Sequence, residues 1–321
     1  MFIVTGASGK LGSLIVEALK RLVPAHQISL SVRNPEKLPE RLAAGVRVRR
    51  GDYNDADSLR HAWAGAKRLL LVSSNAGASG DNPLDQHEKA ISVAKEIGIE
   101  RVFYTSQVSS NPLSHFPPGR DHAATEAMLA DSGLAWTSMR HGFYADSILS
   151  MHEHGFATGT LTGPEDGKVA WVTHEDLAEA DARLLSGHET IEGITPPLTG
   201  NHALDLADLA QMASAVTGRT IERQIIGEDM MLESLHRAGL SGNVLEIIIG
   251  YYRAAKAGEF ETVDPTLSRI LGRDPRQIPD FLSEKCRAPD PTNVRIQVGF
   301  ATRLLRVTSQ IPDTIKTIPA R

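Results

Sequence analysis

Met1-Phe2-Ile3-Val4-Thr5-Gly6-Ala7-Ser8-Gly9-Lys10-Leu11-Gly12 opens the chain, an apolar run that passes directly into three glycines at three-residue spacing. Each residue type meets a need of a phosphate-binding turn. A sharp strand-to-helix turn starts with glycine, a pyrophosphate reaches backbone only where no Cβ intrudes, and the next helix offers free N–H groups and its positive dipole end. Context turns a weak pattern into a strong one. Residues 2–5 pattern as a strand, Leu11, Leu14, Ile15, Ala18 and Leu19 share one helical face, and a second apolar strand follows at 28–32. The stretch is the expected first βαβ unit of a dinucleotide-binding fold, with Gly6, Ser8, Gly9, Lys10, Leu11 and Gly12 at the cofactor.

The second strand runs into Arg33-Asn34-Pro35-Glu36-Lys37. A fold that prefers NAD(H) places an acidic residue there, about 20 residues past the glycines, to bind the ribose 2′-hydroxyl. Arginine instead suits a 2′-phosphate, and Lys37 adds a second positive charge from the following loop. NADP(H) is therefore expected over NAD(H). The competing interpretation is a pair of solvated cations with Glu36 between them.

Composition narrows the function classes. With 321 residues and a 41% apolar share, the chain has enough material for a full doubly wound domain plus a smaller one. A net charge of −5 with no basic stripe argues against direct nucleic-acid binding. The single Cys286 leaves no internal disulfide framework and fits a reducing, cytoplasmic setting. No 18-residue apolar run suggests a membrane span, and with a strand beginning at Phe2 no signal peptide is expected.

Further strand candidates at 46–49, 68–72, 101–105, 135–139 and 169–172 alternate with helical patterns, so an α/β fold with a doubly wound parallel sheet is expected. Ligands of such sheets bind beyond the C-terminal strand ends, which singles out Asp52, Ser73, Ser74 and Ser106 on the cofactor side. After about residue 150 glycines and prolines interrupt the rhythm and helices dominate. The expected division is a cofactor domain over 1–155, a smaller, mainly helical substrate region over 156–286, and a tail over 287–321. Strand 169–172 and helix 174–186 are expected to return to the first domain.

Several stretches resemble the NmrA-like group of atypical short-chain dehydrogenases, within it the quinone oxidoreductase and triphenylmethane reductase type. They are Val4 to Gly12, Val32-Arg33-Asn34-Pro35, Gly51-Asp52-Tyr53, Tyr104-Thr105-Ser106, His122-x-x-Thr125-Glu126-x-x-Leu129, and Asp264 to Arg273 followed by Asp280-Phe281-Leu282. The resemblance covers residues 1 to about 286. It implies a Rossmann domain binding NADP(H), a small second domain, and reduction of quinone-like acceptors or cationic dyes. Some members of the group are instead redox sensors without turnover, so the fold alone does not decide function.

Short-chain dehydrogenases commonly use a Tyr-x-x-x-Lys pair. The one literal match, Tyr252 to Lys256, falls in a late helix and is rejected as a packing pair, while Tyr104 has no lysine four residues on. By resemblance, His122 takes the lysine's place, and an imidazole donates to a ribose hydroxyl or moves a proton. Beyond strand 135–139, His141, Phe143 and Tyr144 are the expected substrate contacts, with Tyr144 also a catalytic candidate beside His122; the aromatic rings suit a flat acceptor, with core packing as the alternative for Phe143. His152 and His154 lack the further ligands of a metal site. Two functions are thus expected, in order: a cytoplasmic NADPH-dependent reductase passing hydride to a planar conjugated small-molecule acceptor such as a quinone, and an NADP(H)-sensing regulator acting through a protein partner. A homodimer is compatible with either.

Overall fold

The structure is a computed structural model that describes residues 1–240 and 242–286; the expected tail over 287–321 lies outside the described residues. The first half alternates strands and helices: β1 (Phe2–Thr5), α1 (Lys10–Leu19), β2 (Ile28–Val32), α2 (Glu40–Ala43), β3 (Arg47–Arg50), α3 (Ala56–Trp63), β4 (Arg68–Leu71), α4 (Pro83–Glu96), β5 (Arg101–Gln107), α5 (Pro117–Asp131) and β6 (Ala135–His141). The second half holds β7 (Phe143–Tyr144), α6 (Asp146–Thr158), β8 (Thr160–Gly163), β9 (Val169–Val172), α7 (His174–Ser186), β10 (Gly193–Ile194), β11 (Ala203–Leu204), α8 (Leu206–Thr217), β12 (Glu222–Ile225), α9 (Glu228–Arg237), α10 (Asn243–Lys256), α11 (Thr266–Leu271) and α12 (Ile278–Cys286).

Seven strands form one parallel sheet in the order β10-β6-β5-β4-β1-β2-β3. The order reverses at β1, where a doubly wound sheet leaves its ligand crevice. Burial on both faces explains why β2 is apolar or small throughout, with every residue buried. One face carries α1, α7 and α11, whose Leu11, Ile15, Leu177 and Leu267 join the sheet's Val4, Leu30 and Leu70 in one core. The other carries α3, α4 and α5 through Leu59, Trp63, Ile91 and Leu129.

A second core gathers Trp171, Leu209, Tyr251, Phe260 and Phe281 from the later elements. It is bounded by two small sheets, β11-β9-β7 and β12-β8. The chain crosses between regions more than once: α7 packs on the main sheet, whereas β9 pairs with β7 and β11, not with the seven-stranded sheet. The expected strand at 169–172 therefore forms, but on a separate small sheet. Among the described residues no helix is long and apolar enough to cross a membrane.

Candidate dinucleotide and acceptor site

At the switch point the turn has the shape its sequence requires. Gly6 has φ +61°, and the Val72 side chain lies 3.1 Å from where a Cβ would stand. A Cβ on Gly12 would lie 2.3 Å from the Gly6 carbonyl oxygen, so this glycine lets helix meet strand. Gly9 differs: its only neighbour within 4 Å would be the Gly6 oxygen at 3.3 Å, which leaves an open cradle above it. The α1 N-terminus has no side-chain cap and no acidic residue in its first turn, and Ser8, Gly9 and Lys10 are exposed. Free N–H groups, an uncancelled dipole and an open cradle fit a pyrophosphate. Leu11 serves this turn from the buried side of α1.

Arg33 and Lys37 stand exposed beyond β2, and neither side chain makes an ion pair or hydrogen bond among the described residues, with Glu36 or any other group. The two cations are available to a 2′-phosphate. Next to them, a Cβ on Gly51 would lie 2.0 Å from Ser31 Oγ, while the Tyr53 phenol donates to the Val72 carbonyl at 2.8 Å and meets Thr5 Oγ1 at 2.5 Å. Tyr53 thus ties β1 to β4 at the crevice. Asp52 uses one carboxylate oxygen to accept from the Asn54 N–H at 3.0 Å, closing its own turn.

The serines behave differently from one another. The Ser73 N–H donates to Thr105 Oγ1 at 2.8 Å, which holds the ends of β4 and β5 together. Ser74 is taken up locally: its N–H donates to His87 Nε2 at 2.9 Å and its hydroxyl to Gln86 Oε1 at 2.6 Å. Ser106 departs from its expected cofactor role, being 2% exposed with its hydroxyl given to Glu126 Oε1 at 2.7 Å. The physical reason is the buried Glu126 carboxylate, which also accepts from Ser138 at 2.8 Å and from Arg140 at 3.1 and 2.6 Å. Burial alone pushes that carboxyl up, but the Arg140 and Ser106 hydrogen bonds outweigh it and hold it below the usual carboxylate range.

His87 completes the same lattice. Because Nε2 accepts from Ser74, the proton sits on Nδ1, which meets Thr125 Oγ1 at 2.9 Å; that hydroxyl passes on to the Asp121 carbonyl at 2.8 Å. Burial, with His122 nearby, pushes His87 down to about 3 and keeps it neutral.

Beside this lattice, His122 Nδ1 lies 2.7 Å from the Tyr104 hydroxyl. Burial pushes Tyr104 well above the ordinary phenol range. It also pushes His122 down to about 4, aided by His141 and Arg140 against the pull of Glu126. Both members are uncharged at neutral pH. The literal Tyr-x-x-x-Lys match lies elsewhere: Tyr252 is buried in the second core and the exposed Lys256 pairs with Glu165 at 2.7 Å.

Beyond β6 the three expected substrate contacts separate. His141 does not face a ligand: it is 0% exposed and its Nε2 meets Asp181 Oδ1 at 2.9 Å inside the protein. Phe143 and Tyr144 are neighbours on a strand, so their side chains go to opposite faces. Phe143 enters the second core, with Tyr251 and Phe260 ring centroids each 5.0 Å away, which favours its packing role. Tyr144 goes to the main-sheet side, where its ring lies 4.3 Å from that of His174. Gly142 makes the bend possible, since a Cβ there would lie 2.7 Å from the Ala170 carbonyl oxygen.

Two residues that sequence reasoning passed over complete the corner. Asp146 pairs with Lys10, and its other oxygen meets His174 Nδ1 at 2.7 Å. Asp146 follows Tyr144 by two residues, but nothing in one sequence joins it to residue 10 or residue 174.

An open glycine turn at the switch point of a doubly wound sheet, with a partly buried phenol–imidazole pair beyond it, fits an NAD(P)H-dependent oxidoreductase. Residues 1–276 match the NmrA-like family, and the chain belongs to it. It is similar to quinone oxidoreductase 2 of Escherichia coli, 33% identical over 286 residues that cover 88% of this chain and 98% of that protein. The structure of the E. coli NADPH-dependent quinone oxidoreductase complexed with NADPH superposes with a TM-score of 0.83 at 32% identity, over 89% of this chain and 100% of the other. The Citrobacter sp. triphenylmethane reductase complexed with NADP(H) gives 0.81 at 30% identity, again over 89% and 100%. An NAD(P)H azoreductase of Xenophilus azovorans is 25% identical over 88% of this chain and 96% of its own.

Proposed function

We propose that this protein is an NADPH-dependent reductase that passes hydride to a planar conjugated acceptor, a quinone being the first candidate. The observation that carries the proposal is the Tyr104–His122 hydrogen bond, whose members burial keeps uncharged, standing where a Tyr-Lys pair would supply a proton donor of lowered pKa. An acceptor that becomes aromatic on reduction needs little acid help. When bound, NADPH supplies the hydride; with one proton, a quinone becomes a hydroquinone, so electrons and atoms balance.

The residues divide the work. Gly6, Ser8, Gly9, Lys10, Leu11 and Gly12 receive the pyrophosphate, and the unpaired Arg33 and Lys37 select the 2′-phosphate. Asp52, Ser73 and Ser74 shape the crevice through their turns. In the tautomer in which Nδ1 accepts from the Tyr104 hydroxyl, His122 has its Nε2–H left as a donor to a ribose hydroxyl or to the acceptor oxygen. Tyr144 forms the acceptor wall. Support for the acceptor class comes from the quinone, dye and azo reductases to which the chain is similar. NADPH oxidation followed against a panel of quinones and triphenylmethane dyes tests the proposal: turnover with a quinone supports it, and none with any acceptor refutes it.

A further inference from the structure

Three helices begin at one corner of the crevice, and their first residues are joined. Lys10 opens α1, Asp146 opens α6 and His174 opens α7. Asp146 receives Lys10 on Oδ1 and, at 2.7 Å, His174 Nδ1 on Oδ2. The His174 side chain is only 9% exposed, its ring lies 4.3 Å from the Tyr144 ring at an interplanar angle of 38°, and its Nε2 has no hydrogen-bond partner among the described residues. Tyr144 is also held from behind, because β7 pairs with β9 and the Ala145 N–H donates to the Val172 carbonyl at 2.8 Å.

An exposed Lys–Asp pair contributes little to stability. This one has a different consequence, because both oxygens of one carboxylate are committed to different helices. One of those helices begins in the phosphate turn, and the other carries the ring against which Tyr144 lies. Burial would push Asp146 up, yet the His174 and Lys10 bonds hold its carboxyl far below the usual carboxylate range, so the carboxylate stays charged in ordinary buffers.

We infer that Lys10, Asp146 and His174 form a clasp that sets the Tyr144 ring relative to the cofactor turn, with Asp146 as the positioning residue for the acceptor. Lys10 thereby ties the acceptor wall to the helix that starts in the phosphate turn. The kinetic part of this inference rests on the reductase proposal, while its structural part does not.

The test uses the full chain labelled with 3-fluorotyrosine, which gives five fluorine lines for five tyrosines. Tyr144→Phe identifies the Tyr144 line. Asp146→Asn and Lys10→Met should each move that line and leave the other four in place, whereas Lys67→Met, which removes the distant exposed pair with Glu100, should move none of them. His174→Gln is the second route if Asp146→Asn does not fold, and it should move the same line. In turnover, Asp146→Asn should raise the quinone KM about fivefold or more while the NADPH Kd changes less than about twofold. A Tyr144 line that stays put in Asp146→Asn and Lys10→Met overturns the clasp. Parallel shifts of KM and Kd overturn the positioning role. If the unmutated protein oxidises no NADPH with any acceptor, the reductase proposal falls and the fluorine lines alone decide the clasp.

Discussion

His122 Nδ1 lies 2.7 Å from the hydroxyl of Tyr104, and the surroundings keep both groups uncharged. The pair is a hydrogen-bonding device and not a reservoir of charge. Removing the ring by His122→Ala should slow quinone turnover by about 10² to 10⁴ if Nε2–H transfers a proton, and by much less if it only orients a ribose. Tyr104→Phe removes the phenol that fixes the ring and should cost less than His122→Ala. Steady-state kcat for both variants, with NADPH affinity measured alongside, checks the order.

Two glycines of the first turn should fail in different ways. Gly9→Val puts a branched side chain into the open cradle, so NADPH binding should be lost while circular dichroism stays native. Gly12→Val drives a side chain onto the Gly6 carbonyl 2.3 Å away, so it should lower stability before it affects binding. A folded Gly9→Val variant with normal NADPH affinity would place the cofactor elsewhere.

Cofactor choice should follow Arg33. Its guanidinium has no partner among the described residues to give up before meeting a 2′-phosphate. Charge-assisted bonds to one phosphate contribute about 1.5 to 3 kcal/mol, or roughly ten- to hundredfold in affinity. Calorimetry should show that preference for NADPH over NADH, and Arg33→Ala should erase most of it. Equal affinities in the unmutated protein would contradict the assignment.

Three histidines, His87 and His152 buried and His122 partly buried, make the fold sensitive to acid. His87 is pushed down to about 3, and His122 and His152 to about 4, in each case mainly by burial. The unfolded chain binds these protons at about pH 6.5, so between there and the folded values it holds more protons than the native state. Their stabilisation is complete above pH 6.5 and falls as pH drops toward 4. Going from pH 7 to pH 5 should cost up to about 2 kcal/mol per histidine, read from urea melts at the two pH values. His87→Gln should flatten part of that slope.

Much of the architecture was legible because a parallel sheet buried on both faces demands runs of apolar and small residues, as at 28–32, and because Gly6, Gly9 and Gly12 carry their geometric needs in their spacing. The pairing of strand 169–172 was not, since its partner at residues 143–144 is two residues long and gives no periodic signal. The opposite destinations of Phe143 and Tyr144 follow from strand periodicity only once that short strand is known. Ser106 and His141 sit at plausible positions along the chain, but their partners Glu126 and Asp181 lie 20 and 40 residues away, and hydrogen bonding at that separation leaves no local mark. The Asp146 corner was hidden for the same reason: its three members start three helices far apart in sequence.

The proposed reductase uses its bound NADPH to reduce an acceptor and does not merely sense it. The most direct measurement is the loss of NADPH absorbance on adding a quinone to the purified full-length chain, with hydroquinone quantified in the same reaction. Oxidation should depend on the quinone and form one hydroquinone per NADPH, and it should be abolished in Gly9→Val and strongly reduced in His122→Ala. Tight NADPH binding with no oxidation by any quinone or dye, joined to a protein partner whose binding changes with the ratio of NADP⁺ to NADPH, would contradict it.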